Sequence, residues 1–351
     1  MSPQPLVFDG HNDLLLRLYS GKVDAQAIHD GCRGGHIDLP RARKGGWGGG
    51  LFAIFVPPTG ESGVAGMMSP GSAGYDLPLP AALPAEQALP VALAQVEQFE
   101  RLAAQGVITP CTTAGEIRAA LGSERLAAVL HMEGAEAIDE GCEALERFHG
   151  LGLRSLGPVW SRPTLFGHGV PFRFPATGDT GPGLTDAGRR LVRECNRLGI
   201  VIDLSHLNEA GFRDVAALTD APLVASHSNA HALCPHARNL TDYQLDMIAE
   251  SGGLVGLNFA SAFLRSDGRM NGDFGLDIML RHLDHLLEHL GETGVGLGSD
   301  FDGAEVSRDI GDCSGLPALR DAMRRHGFDD ALMTRLCHDN WLSVLARNWG
   351  E

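Results

Sequence analysis

The chain has 351 residues, a length that suggests either two compact domains or one large barrel. Hydrophobic residues make up 44% of it and charged residues 21%, which is the composition of a folded protein rather than a disordered one. A formal net charge of −16 disfavours binding to nucleic acid or to an anionic membrane surface.

The N-terminal segment has no basic region followed by an apolar stretch, so we expect no secretory signal. No window contains the roughly 18 uninterrupted apolar residues that a membrane-spanning helix needs. The seven cysteines are odd in number and include no C-x-x-C pair, unlike those of a disulfide scaffold or a structural zinc finger. These features predict a cytoplasmic protein.

Short apolar runs recur along the chain and alternate with segments of helical periodicity, a pattern typical of a parallel sheet covered by helices. Several runs are apolar throughout, as expected for strands that are buried on both faces. The runs are residues 5–9, 51–56, 127–131, 153–159, 199–203, 222–226, 253–258 and 295–298. Eight such units predict an α/β fold, a single (β/α)8 TIM barrel domain over residues 1–351.

Capping residues and glycines mark the ends of several wall helices. Thr185 and Thr241 are candidate N-caps, and a glycine follows each of the two helical segments that they begin. Residues 277–290 carry apolar side chains at helical spacing. From Leu316 onward, the pattern predicts further helices that close the exterior of the barrel.

One segment, residues 57–84, departs from the repeat because it is rich in Gly and Pro and too long for a routine connection. We interpret it as a loop insertion over the barrel mouth. A disordered insertion and a subunit contact are the alternatives.

Histidines and carboxylates follow five of the eight predicted strands. In a barrel of this kind, catalytic groups gather at the C-terminal ends of the strands. One His-x-Asp pair or one His after a strand is weak evidence, because such residues often cap or line the mouth. Five strands that end in this way favour one convergent metal site. The segments begin at Asp9, His131, Asp203, Ser226 and Gly298.

Imidazole nitrogens and carboxylate oxygens are the ligands that zinc accepts besides thiolates. Three histidines and two carboxylates suffice for two ions if one carboxylate bridges them, and Glu133 has the central position in the set. Two such ions share a water molecule, lower its pKa and polarise the carbonyl group that it attacks, which is the chemistry of amide or ester hydrolysis. The predicted ligands are His11, Asp13, Glu133, His206 and His227.

Two further residues are candidates for catalysis and substrate binding. Asp300, after the last strand, is the candidate acceptor of the water proton and donor to the leaving amine, with a structural carboxylate or another ligand as the alternative. Arg238, after the sixth strand, has the fork geometry to bind a substrate carboxylate, with a surface or structural ion pair as the alternative.

The ordered motifs DGHND, HMEG, DLSH, ASHSNA, HARN and GSDFDG resemble those of the membrane (renal) dipeptidase family of zinc-dependent, amidohydrolase-like barrels. The resemblance covers essentially the whole chain. It implies two zinc ions, one held by His11, Asp13 and Glu133 and the other by Glu133, His206 and His227.

The same resemblance implies roles for the remaining candidates. It makes Asp300 the proton-transfer carboxylate and Arg238 the clamp for the carboxylate of a dipeptide. It also implies a homodimer.

Two departures from the family pattern affect the expected substrate contacts. After the fourth strand the family carries a Thr-His pair whose imidazole helps to hold the polarised carbonyl oxygen, whereas this chain has Val-Trp160. His168 in the nearby FGHGVPF stretch is a candidate replacement, with a loop histidine that has no catalytic task as the alternative. After the seventh strand, Asn258 is a candidate substrate contact, and it precedes Phe-Ala rather than Phe-Tyr, which removes a hydroxyl group.

The sequence therefore predicts a binuclear zinc dipeptidase. It would hydrolyse short unblocked dipeptides, L,D-dipeptides among them, by attack of a metal-bridging hydroxide. One alternative is another metal-dependent amidohydrolase that acts on an N-acyl amino acid, a cyclic amide or a lactone. A second is a catalytically silent metal-binding protein.

Overall fold

A computed structural model describes residues 4–58 and 74–350. Its central feature is a sheet with eight parallel barrel strands, which confirms the predicted barrel. In chain order these are β1 (Val7–Asn12), β2 (Trp47–Phe55), β3 (Leu126–Glu133), β4 (Leu153–Gly157), β5 (Val201–Ile202), β6 (Val224–Ser228), β7 (Leu254–Asn258) and β8 (Val295–Gly298).

Neighbouring strands in the barrel are also neighbours in sequence. The sheet runs from β5 through β4, β3, β2 and β1 to β8, β7 and β6. An isolated parallel bridge between Asp203 and Val224 joins its two ends, so the barrel is nearly closed. The short strand Ile108–Pro110 pairs with β3 outside this ring. All eight C-terminal strand ends consequently face one mouth.

Helices connect the strands and form the outer wall. The helix after Thr185 begins where that side chain accepts a hydrogen bond from the backbone N–H of Gly188, as its capping role predicts. No helix in the described ranges is long and apolar enough to cross a membrane. The α-helices are Leu14–Tyr19, Ala25–Asp30, Leu39–Gly45, Ala85–Ala104, Ala114–Leu121, Glu143–Gly150, Asp186–Leu198, Glu209–Leu218, Asp242–Glu250, Ser261–Leu264, Asp277–Leu290, Leu316–His326, Asp330–Thr334 and Asn340–Trp349.

Strand β2 begins at Trp47, four residues before the predicted start at residue 51. The start was predicted too late because the first part of β2 is rich in glycine, which in a sequence indicates a loop rather than a strand. A Cβ atom at Gly50 would lie 2.3 Å from the carbonyl oxygen of Asp9, and one at Gly49 would lie 1.9 Å from that of Ala127. Glycine therefore allows β2 to approach the backbones of β1 and β3 closely.

The C-terminal helix Asn340–Trp349 contributes to the barrel interior, although the sequence suggested only exterior packing. Trp341 is fully buried, and its indole N–H donates to the carbonyl oxygen of Leu297 at 2.9 Å. A Cβ atom at Gly296 would lie 2.5 Å from the indole nitrogen, and one at Gly10 would lie 2.4 Å from the ring. Glycines on the strands thus make room for a tryptophan inside the barrel.

The predicted insertion at residues 57–84 lies partly outside the described residues, which stop at 58 and resume at 74. Just beyond this gap, Tyr75–Asp76 pairs in antiparallel fashion with Arg173–Phe174. The hydroxyl of Tyr75 also donates to the carbonyl oxygen of Gly268 at 2.6 Å. The described end of the insertion therefore packs beside the segments that follow β4 and β7.

Candidate metal centre

The five predicted ligands lie close together at the mouth of the barrel. His11 is in β1 and Asp13 directly follows that strand, while Glu133 is the last residue of β3. His206 follows β5, and His227 is in β6. All five are buried, with exposed fractions between 0% and 6%.

Glu133 lies between two groups of these ligands. Its Oε1 is 3.0 Å from Nε2 of His206 and 3.4 Å from Nε2 of His227. Its Oε2 is 3.8 Å from Nε2 of His11, which in turn lies 3.5 Å from Oδ2 of Asp13. Each carboxylate oxygen thus points toward a different group, as a carboxylate that bridges two cations requires. Both groups have ligand atoms close enough together to hold one ion.

Unpaired polar atoms show that these residues fit divalent cations. Both ring nitrogens of His11 are buried and have no hydrogen-bond partner among the described residues. Leaving a buried polar group without a partner costs about 1–3 kcal/mol. A cation bound beside His11 would accept an electron pair from one of these two nitrogens.

Burial keeps the histidines in the protonation state that binds metal. It lowers the pKa of His11, and it lowers the pKa of His206 and His227 well below the usual value. The charge of Arg238 lowers the pKa of all three further, whereas the charges of Asp300 and Asp203 raise that of His11 without reversing the effect of burial. The neutral imidazole that results has a free electron pair for a metal ion.

The carboxylates repel one another in the absence of a cation. Burial raises the pKa of Glu133 well above its usual value, and the charges of Asp13 and Asp300 raise it further. Burial, with the charge of Asp302, raises the pKa of Asp13 to about 7. Divalent cations would stabilise the ionised forms of these groups.

Serine hydroxyls orient two of the histidine rings, a role that the sequence analysis missed. Ser226 donates to Oδ2 of Asp203 at 2.6 Å, so its Oγ is free to accept from Nδ1 of His227 at 2.7 Å. This arrangement leaves Nε2 of His227 free for a metal. Ser161 lies 2.8 Å from Nδ1 of His206 in a similar position. Ser161 follows β4, and Ser226 directly precedes His227 within β6, which was the available signal.

Asp300 lies beside the metal groups, as its predicted role requires. His11, His227 and Asp300 form a further group whose ligand atoms could hold an ion. Asn258 donates from Nδ2 to Oδ2 of Asp300 at 3.1 Å. Burial raises the pKa of Asp300, so this carboxyl group binds a proton more readily than an exposed one.

Asp302 is held in place by contacts with two neighbouring segments. Its Oδ1 accepts from the backbone N–H of His36 at 2.6 Å, and Oδ2 lies 3.5 Å from Nη1 of Arg17. Asp300 and Asp302 have φ values of 59° and 68°, in the left-handed region that is uncommon for non-glycine residues. The tight turn between them is therefore fixed by Asp302, while Asp300 faces the metal groups.

A cavity of about 150 Å³ opens above the ligands. Its polar wall contains Asp13, Glu133, His206, Asp300 and Asp302. The other wall is apolar and combines the end of β2, two short helices and irregular segments; it contains Leu16, Phe55, Trp160, Phe172, Phe263 and Met270. The cavity thus places an apolar surface opposite the candidate cations.

Trp160 belongs to this apolar wall, whereas His168 does not line the cavity in the described part of the chain. The Trp160 ring lies 5.0 Å from that of Phe55 and 5.9 Å from that of His206. His168 lies beside Gly181, which lines a separate open groove. The structure therefore does not bring the candidate replacement imidazole to the metal ligands.

Arg238 is buried beside His227. Its Nη2 donates to the carbonyl oxygen of His227 at 2.8 Å, and its Nη1 donates to Oγ of Ser228 at 2.8 Å. Its Nε is buried without a hydrogen-bond partner among the described residues. Burial lowers the pKa of Arg238 to about 10, so the guanidinium group stays charged at neutral pH.

Known proteins resemble this chain over most of its length. The family model for membrane dipeptidase, peptidase family M19, matches residues 2–348. An uncharacterized protein in the pqqA 5′ region of Klebsiella pneumoniae is 47% identical over 246 residues, which are 70% of this chain and 91% of that protein.

Solved structures extend the similarity to the fold. A metallopeptidase from Rhodobacter sphaeroides, crystallised with a phosphinate mimic of the dipeptide L-Ala-D-Ala, is 56% identical. It superposes with a TM-score of 0.96, over 99% of this chain and 100% of that one. The probable dipeptidase PvdM from Pseudomonas aeruginosa is 21% identical with a TM-score of 0.81, over 99% of this chain and 96% of that one, and shares the fold.

Proposed function

The chain belongs to the membrane dipeptidase family, peptidase family M19, and is a metallo-dipeptidase; we propose that it uses two zinc ions to hydrolyse short unblocked dipeptides, L,D-dipeptides among them. The observation that carries the two-ion proposal is the position of Glu133, whose two oxygens face different histidine groups. His11, Asp13 and Glu133 would hold one ion. Glu133, His206 and His227 would hold the other.

Two zinc ions at such a site acidify a water molecule and polarise the scissile carbonyl group. The protein residues then divide the remaining tasks. Asp300 accepts the proton of the attacking water and returns it to the leaving amine, since it lies beside the metal groups and burial raises its pKa. Asn258 holds the carboxylate of Asp300 through its side-chain amide.

Substrate orientation depends on charge at one end of the site. We assign the C-terminal carboxylate of the dipeptide to Arg238, whose buried guanidinium group has a free Nε–H. The phosphinate mimic of L-Ala-D-Ala bound to the Rhodobacter sphaeroides relative supports L,D-dipeptides as substrates here. The small cavity, about 150 Å³ in volume, suits short side chains better than long ones.

A metal analysis combined with a substrate panel tests the proposal. We expect at least two zinc ions per chain in the purified enzyme and turnover of both L-Ala-L-Ala and L-Ala-D-Ala. We expect no turnover of the N-acetylated dipeptides, which an N-acyl amino acid hydrolase would accept. A single zinc per chain would contradict the binuclear site, and turnover of L,L-dipeptides alone would contradict the stereochemical part.

An Asp300→Asn variant separates catalysis from metal binding. We expect turnover to fall by about 10²–10⁴-fold, the usual contribution of a general base, while the zinc content stays at that of the wild type. Unchanged turnover would overturn the role of Asp300. The homodimer and the cytoplasmic location stay predictions, which light scattering and cell fractionation test.

A further inference from the structure

A second cluster of metal-ligand residues lies on the outer wall of the barrel, away from the mouth. It consists of Asp242, His285 and His289, whose ligand atoms all lie within 4.8 Å of one another. Asp242 is the first residue of the helix Asp242–Glu250, and both histidines are in the helix Asp277–Leu290. We propose that these three residues form a zinc site that joins the two helices.

The histidine spacing suits a metal ion. His285 and His289 are four residues apart on one helix, so they share a face, and their ring centroids are 4.8 Å apart. Nε2 of His285 lies 2.7 Å from Oδ1 of Asp242, and Nε2 of His289 lies 3.7 Å from the same oxygen. Two imidazoles and one carboxylate are a common ligand set for zinc, with water in the remaining position.

A fourth residue supports the assignment independently. Nδ1 of His289 lies 2.8 Å from Oδ1 of Asp246, one helical turn after Asp242. A metal-binding histidine typically donates its second ring N–H to a carboxylate in this way, which fixes the ring and leaves the other nitrogen free. The pair Asp246 and His289 thus presents Nε2 of His289 to the position between His285 and Asp242.

Solvent reaches the cluster, so an ion can enter without a change in the fold. The side chains of His285 and His289 are 18% and 20% exposed, and that of Asp242 is 49% exposed. The helix with Asp242 follows β6 and the helix with the histidines follows β7. A bound ion would therefore link the wall helices of two successive barrel units.

Equilibrium dialysis of the untagged holoenzyme against zinc tests the site. We expect the wild type to bind one more zinc ion per chain than the His289→Ala variant, whatever the number at the catalytic centre. Asp246→Asn keeps all three ligands, and we expect it to weaken this additional site by about 10–100-fold. Dipeptidase activity, expected to equal that of the wild type, shows that each variant is folded.

His326→Ala is the matched control. His326 pairs at 2.8 Å with Asp284, which is in the helix that carries His285 and His289, but this pair is not part of any three-ligand group among the described residues. We expect the control to bind as much zinc as the wild type. Equal zinc content in the wild type and His289→Ala would overturn the proposal, as would an equal loss in His326→Ala.

Crystals soaked in cobalt provide a second measurement that locates the ion. We expect an anomalous difference peak between Asp242 and the two histidines in the wild type and its absence in His289→Ala. A peak only at the barrel mouth in wild-type crystals would show that the surface cluster is a set of His–Asp pairs without a metal.

Discussion

The side-chain amide of Asn258 donates a hydrogen bond to Oδ2 of Asp300 across 3.1 Å, and the same amide lies 3.3 Å from the carbonyl oxygen of His227. Asn258 thereby connects the candidate proton-transfer group to the strand that carries a metal ligand. The sequence analysis placed Asn258 against the substrate. Its hydrogen bond to Asp300 supports a role in positioning that carboxylate, and the substrate contact stays a prediction.

Replacement of Asn258 by Ala removes a donor that favours the ionised form of Asp300. Burial raises the pKa of Asp300 and the Asn258 hydrogen bond lowers it, so the pKa rises further in the variant. Because the base must be ionised to accept a proton, we expect the acidic limb of the kcat profile to move to higher pH. We also expect kcat at neutral pH to fall by about 10–100-fold.

The control for this prediction is Asn229→Ala. Asn229 accepts from the backbone N–H of Asn258 and donates to its carbonyl oxygen, both at 3.0 Å, but no recorded hydrogen bond joins it to Asp300. Loss of the Asn229 side chain should lower the free energy of unfolding and leave the acidic limb of the kcat profile at its wild-type pH. An unshifted limb in Asn258→Ala would show that Asn258 has only a structural role.

Arg238→Met tests the assignment of the substrate carboxylate. Loss of a charged partner from a buried hydrogen-bonded pair costs about 2–5 kcal/mol, so we expect kcat/KM for dipeptides to fall by about 30-fold or more. Dipeptides with an amidated C-terminus lack the negative charge, so their kcat/KM should fall little in this variant. An equal loss for both substrates, or a loss of zinc, would show that Arg238 instead supports His227 through its carbonyl group.

The barrel was predictable because its strands are short apolar runs at regular spacing, and polar residues at their ends stand out against them. The same contrast identified His11, Glu133 and His227 as candidates that the structure brings together. The apolar wall of the cavity was not predictable, since Phe172 lies in an irregular segment between strands and Phe263 lies in a helix of only four residues. Nor does a local pattern show that Trp341, near the C-terminus, packs inside the barrel.

A buried ion pair beneath the apolar wall predicts a large effect on stability. Nη2 of Arg162 donates to Oε1 of Glu136 at 2.7 Å and to the carbonyl oxygen of Val56 at 2.8 Å, and both charged side chains are 0% exposed. The guanidinium carbon lies 5.9 Å from the Trp160 ring centroid. The pair thus connects β2, the segment after β3 and the cavity wall.

Glu136→Gln should lower the free energy of unfolding by about 3–5 kcal/mol, because it leaves a buried guanidinium group without its counter-charge. Adding Arg162→Met should cost less than the sum of the two single effects. Urea unfolding measures these values, with Arg190→Met as the control. Arg190 and Glu140 form an exposed pair at 2.7 Å, whose loss should cost less than about 1 kcal/mol. Additive effects in the buried pair would argue against direct coupling.

His282, a buried residue that lies outside the group of ligands at the barrel mouth, links pH to stability. Its Nδ1 accepts from the backbone N–H of Ala230 at 3.3 Å, and Nε2 lies 3.0 Å from the carbonyl oxygen of Leu264. These contacts require the neutral ring, and burial lowers the pKa of His282 from 6.5 to about 4. The unfolded chain therefore binds a proton that the folded chain excludes between these pH values.

This difference in proton binding determines the direction in which pH changes the free energy of unfolding. Stability from the neutral ring is fully present above pH 6.5 and is lost as the pH falls toward 4, by up to about 3 kcal/mol. His282→Gln removes this titration, so its free energy of unfolding should fall less between pH 7 and pH 4.5 than that of the wild type. Urea unfolding in the presence of a chelator measures this without interference from metal release. Parallel curves for His282→Gln and the wild type would contradict the prediction.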